Sequence, residues 1–275
     1  MIDLNNFRKN IYQNEGVREC PHYSEDGVIL KIFETIGINK DPLVIEFGET
    51  RSLGTTTRAL RIRYKARCIY FTGNLNFKST ILNVLDIFKI SFNKSDFEYL
   101  KFLFNMPFKF FVTPDNIISL FKKKDVNHID VITIDIDSYD YFIAKKVLEE
   151  GYKPSLLILE YNPHLPINSR ITEPYVTENQ KPKNKRVYGA SYDALNDLAT
   201  NFGYKLVHVS GFCNLFYVSN ENALLFQTPD ITKERPKNDK EAIDFVNKFC
   251  QKGFVPTWLG ENEINEQDLS YFQKV

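Results

Sequence analysis

Short apolar runs alternate with longer amphipathic stretches along this chain, and the alternation carries most of the fold prediction. "PLVIEFG" (Pro42 to Gly48), "RCIYFT" (Arg67 to Thr72), "IDVITI" (Ile129 to Ile134) and "SLLILEYN" (Ser155 to Asn162) read as buried strands. Between them, "SEDGVILKIFETIG" predicts a helix capped by Ser24, with Glu25 and Asp26 at its positive end and Gly37 as its stop. "GTTTRALRIRYK" and the stretch from about Lys78 to Phe88 predict two more helices. "KFFVTPDNIISLFKKK" predicts a short strand, a turn at Thr113–Pro114 and a helix started by Asp115. "YDYFIAKKVLEEG" reads as a helix closed by Gly151, and "SYDALNDLATNFGY" as one capped by Ser191. "YKLVHVSGFCNLFYV" (Tyr204 to Val218) predicts a hairpin turning near Ser210–Gly211. Strands alternating with helices indicate an α/β fold, with a mostly parallel sheet covered on both faces.

The pattern loosens elsewhere. Pro163 to Val187 forms a polar loop containing "KPKNKR", long enough for a lid or a substrate-binding loop. After Glu221 the chain turns polar, with one helix predicted at "DKEAIDFVNKFCQKG". Residues 1–221 therefore read as one α/β domain, and 222–275 as a helical appendage of the same globule. The aromatic segment 89–108 leaves open a core, pocket-wall or homodimer role.

Composition narrows the classes. Lys+Arg 35 balance Asp+Glu 35, so no global field draws the protein to nucleic acid or to an anionic membrane. No apolar run approaches the roughly 20 residues that span a bilayer, and "MIDLNNFRKN" lacks the apolar core of a signal peptide. The four cysteines are scattered without a C-x-x-C pair, which speaks against zinc and a disulfide framework and points to a cytoplasmic setting.

The chemistry concentrates where strands stop. "VIEFG", "TIDID" and "LEYN" each end in acids or amides, and ligands of open parallel sheets sit at the carboxyl ends of strands. Asp135, Asp137 and Asp140 are so close in sequence that a cation, a proton or a ligand must moderate their repulsion. Asp135 or Asp137, with Glu160 and Asn162, supplies the hard oxygen ligands that suit Mg²⁺. Asp140 reads equally as a first-turn acid of the helix that follows. Glu46, near the end of a buried strand, needs a partner. Gly48 permits close approach to the backbone, and Gly54–Thr55–Thr56 form the next helix's entrance. Neither the G-x-G-x-x-G fingerprint nor a P-loop is present there.

The order "YSEDGVI", "VIEFGE…GTT", "IDVITIDIDSYDY", "LLILEYNP" and "YGASYDALNDLATNFGYKLVHV" resembles the FkbM-type branch of the S-adenosylmethionine-dependent methyltransferases, from roughly Tyr23 to Val218. The resemblance implies a Rossmann-like, seven-stranded sheet, the class I methyltransferase fold, whose last strand in sequence runs antiparallel. It implies S-adenosyl-L-methionine as cofactor, with Glu46 and Gly48 beside its methionine and ribose part and Thr55 and Thr56 close by. Tyr23, Ser24 and Glu25 would cover the cofactor, Asp115 would meet the adenine, and Asp135 would face the sulfonium or amino group. Where such enzymes end the second strand in an acid, this chain has "FTGNLN", leaving neutral Asn74 to meet the ribose. The acids after the third and fourth strands named above are similar to those of macrocin-type sugar O-methyltransferases, which hold a metal. On this likeness Asp137 and Glu160 orient the acceptor, with His164 or His22 as base. The implied activity is methyl transfer to a hydroxyl or amine of a small acceptor such as a sugar or glycan precursor. A fold that has lost its cofactor and serves as a scaffold is the alternative, and the neutral Asn74 favours it.

Overall fold

The strand Leu43–Phe47 (β1) buries every one of its five residues, as does Leu156–Glu160 (β4), and so do the four residues of Val131–Ile134 (β3). Strands with both faces covered are near-continuous apolar runs, which is what made them visible in the sequence. The computed structural model describes residues 1–7, 25–48, 56–71, 112–175, 188–210, 213–231, 236–251 and 266–275. Among these, a six-stranded sheet has the order β2-β1-β3-β4-β7-β6, where β2 is Arg67–Phe71, β6 is Tyr204–Ser210 and β7 is Asn214–Ser219. β2, β1, β3 and β4 pair in parallel; β7 runs antiparallel to both β4 and β6. The fold is thus α/β with a mostly parallel sheet.

Alternation along each strand divides the core into two layers. Ile45, Ile132, Leu157 and Tyr217 point to one face, against Ile117–Lys123 (α3), Asp140–Glu149 (α4) and Tyr192–Asn201 (α5). Val44, Val131, Ile158 and Phe216 point to the other, against Glu25–Ile36 (α1) and Arg58–Tyr64 (α2). Glu46, Asp135, Glu160 and Asn214 continue the second set, so the strand ends aim their polar side chains toward the α1 and α2 side.

Several local expectations are met. Gly37 ends α1 with φ +82° and donates its N–H to Phe33, Gly151 follows α4 with φ +86°, and Ser191 caps α5 by accepting from the Ala194 amide. Others differ. α2 begins at Arg58 rather than at the glycine turn, because Thr56 and Thr57 are held in a turn by Glu46. Asn116, not Asp115, precedes α3; its Oδ1 accepts from the Thr113 amide, while Asp115 is exposed. Val112 and Thr113 belong to no strand; the rest of that predicted strand and the helix near 78–88 lie outside the described residues, as does segment 89–108.

The C-terminal part is built onto the loop after β4. Ile171–Thr172 (β5) pairs antiparallel with Gln273–Lys274 (β8), and the Val275 amide donates to the Arg170 carbonyl. Leu165 packs with Ala242 of Asp239–Gln251 (α6) and with Leu269 and Phe272. Phe226 lies in the α1 layer of the main core. No helix among the described residues is long and apolar enough to cross a membrane.

Candidate functional site

β1 and β3 end in backbone contact. Gly48 has φ +100°, and a Cβ there would fall 1.4 Å from the Asp135 carbonyl oxygen. Only glycine lets the two ends approach this closely. Beyond β3, Asp140 folds back: its carboxylate accepts from the Ile136 amide (2.9 Å) and the Ser138 amide (3.0 Å). This tightens the loop and holds Asp137 in the left-handed region at φ 56°. Asp140 is therefore the loop's internal anchor.

The result is a cluster. Asp135, Asp137 and Glu160 bring carboxylate oxygens within 4.8 Å of one another. Asp135 and Glu160 hydrogen-bond directly, which requires a proton between them. Burial raises the Asp135 carboxyl to about 8, and the negative charges of Asp140, Asp137 and Glu25 add to it. Burial first, and then the negative charges of Asp135, Asp140 and Asp137, push Glu160 well above the ordinary range. Partial desolvation raises Asp137 although it remains exposed, and burial lifts Asp140 to about 6 against the lowering effect of its two amide bonds. The charges acting most on Asp135 and Glu160 are all acidic. Such a group accommodates a hard divalent cation: three carboxylates supply the anionic oxygens, and binding would relieve their mutual repulsion.

The other predicted residues are placed as follows. Glu25, at the start of α1, is buried and accepts from Asn214 Nδ2 at 2.9 Å. Glu46 accepts from the Thr56 amide (2.8 Å), the Thr57 amide (3.2 Å) and the Thr57 hydroxyl, so its carboxylate holds the entrance to α2. Asn162 uses both ends of its amide within the loop, donating to the Tyr188 carbonyl and accepting from the His164 amide, both at 2.9 Å. His164 is buried beside it. Asp115 accepts from the Tyr175 hydroxyl at the surface and is not one of the three clustered acids. Tyr23, Ser24, Thr55 and Asn74 lie outside the described residues, as do His22 and the basic loop Lys181, Lys183, Lys185 and Arg186.

Three residues join the site without a sequence signal. Glu173, just past β5, is buried and raised to about 7 by burial; the Gly189 amide and the Ser138 side chain hold it, and Asp140 acts on it. Tyr188 follows the long loop and feels Asp137, Glu160 and Glu173. Cys213 lies beside Glu160, its thiol pushed up by burial and that carboxyl. Nothing in "ITEPY" or "VYGAS" marks these segments as strand-end neighbours; the β5–β8 pairing and the Glu173–Gly189 backbone bond put them there.

The chain matches no protein-family model, and comparison with curated proteins gives no match.

Proposed function

We propose that this protein is an S-adenosylmethionine-dependent methyltransferase of the Rossmann-like class I fold, acting with a divalent cation on a hydroxyl or amine of a small polar acceptor such as a sugar. One observation carries the reading: Gly48, Asp135 and Glu160 converge at the carboxyl ends of three adjacent parallel strands. That is where nucleotide-type ligands bind in open α/β sheets. The strand order β2-β1-β3-β4-β7-β6, parallel except at β7, is compatible with that fold.

When bound, S-adenosylmethionine supplies a methyl already activated on sulfonium, and a divalent cation would favour the acceptor hydroxyl's ionised form. Asp135, Asp137 and Glu160 would hold the cation, releasing the proton that Asp135 and Glu160 share. Glu46 fixes the Thr56–Thr57 turn at the cleft's edge. Glu173 and Tyr188 close it from the loop side. The protein's task is chiefly positioning.

The test is S-adenosylhomocysteine production from S-adenosylmethionine with Mg²⁺ and a panel of hydroxylated and amino sugars. Acceptor-dependent product that is lost on chelation, and in Asp137→Asn and Glu160→Gln, supports the reading. Absence of product across the panel, with no binding of the cofactor, overturns it.

A further inference from the structure

We infer that the β4–β7 side of the cleft is a primary-ammonium subsite, built by Glu25, Asn214 and Ser210, and that it selects an amine-bearing acceptor. Asn214 begins β7 directly opposite Glu160 on β4 and opposite Ser210 on β6. Residues paired across strands share a face, with Cβ atoms about 5 Å apart. The Asn214 side chain is 4% exposed and donates through Nδ2 to Glu25 at 2.9 Å, yet its Oδ1 has no hydrogen-bond partner. Ser210, fully buried, likewise leaves its hydroxyl without one. Unpartnered polar atoms this deeply buried are rare and call for a ligand or a water. Their neighbours decide which chemistry fits. Glu25 is an acid whose carboxylate accepts from Asn214 Nδ2, so it stands beside the two unpartnered atoms. An ammonium group brings three donors and one positive charge, matching an amide oxygen, a hydroxyl and a carboxylate.

Its place in the sheet names the bound molecule. The Gly48 end, where the proposed cofactor enters, is on β1; β3 and β4 separate it from Asn214 on β7. On the methyltransferase reading, on which this assignment rests, the ammonium on the β7 side is the acceptor's.

Calorimetric titrations with three matched pairs test it: glucosamine against glucose, 1,4-diaminobutane against 1,4-butanediol, and S-adenosylhomocysteine against its deaminated analogue. The expected result is that glucosamine or the diamine binds roughly tenfold or more tightly than its amine-free partner. This excess disappears in Asn214→Leu and Glu25→Gln. If those variants do not fold, Ser210→Ala and Asn214→Asp take their place, the first weakening the excess and the second strengthening it. An excess confined to the S-adenosylhomocysteine pair and lost in the variants overturns the acceptor assignment and gives the subsite to the cofactor. No excess in any pair, or one indifferent to the variants, overturns the subsite and leaves buried water as its occupant. Failure of S-adenosylhomocysteine and its analogue to bind at all counts against the methyltransferase reading, while the other two pairs still decide the subsite.

Discussion

The carboxyl groups of Asp135 and Glu160 are hydrogen-bonded to each other at the ends of adjacent parallel strands. Two carboxylates cannot both be ionised at that separation without a large cost, so the metal-free site retains a proton.

This gives a pH dependence with a definite sign. Asp135 is raised from its ordinary 3.8 to about 8, and Glu173 from 4.5 to about 7. Over that interval the folded protein binds protons that the unfolded chain has released, so stability falls as pH rises. The contribution is fully present below about pH 4 and is lost as pH passes about 8. In chelator, the melting temperature should decline from about pH 5 to about pH 8, and Mg²⁺ or Mn²⁺ should flatten the decline. A melting temperature rising across that range in chelator contradicts the assignment.

Gly48 should tolerate no side chain. In Gly48→Ala the new Cβ meets the Asp135 carbonyl oxygen at 1.4 Å, and the backbone stays at φ +100°. Strain and displacement together should cost about 2–4 kcal/mol, seen in denaturant unfolding. A loss below about 0.5 kcal/mol would show that the β1 and β3 ends are not in contact.

Glu46 separates two roles. Its carboxylate takes two amides and a hydroxyl from Thr56 and Thr57, so Glu46→Ala should lower stability by about 2–3 kcal/mol even without ligand. A variant of unchanged stability that loses cofactor binding would place Glu46 against the cofactor instead.

Three of the four parallel strands, β1, β3 and β4, were legible because burial on both faces writes an unbroken apolar run into the sequence, as in "LVIEF" and "LLILE"; β2, exposed at Arg67, showed only in its buried end "IYF". That an acid after β3 meets Glu160 was legible too, since both end such runs and β3 and β4 are neighbours; Asn162, read as joining them, instead spends its amide on Tyr188 and His164. Long-range contacts were not. Glu25 and Asn214 are 189 positions apart, and nothing local in either segment points to the other. Glu173 sits in a loop whose course depends on the C-terminal strand β8. The start of α2 was misplaced because a carboxylate from β1 holds Thr56 and Thr57, an effect that helix-entry rules do not contain. Asp140 was open to two readings, and two backbone amides decide for the anchoring one.

Thermal melts with S-adenosylhomocysteine bear most directly on whether these strand ends share one cofactor cleft. At a hundred times its Kd the ligand should stabilise the wild-type protein by about 2.7 kcal/mol, raising its melting temperature by several degrees. Asp135→Asn should lose most of that rise. Melts that stay flat for S-adenosylmethionine and S-adenosylhomocysteine alike, with and without Mg²⁺, would contradict the account.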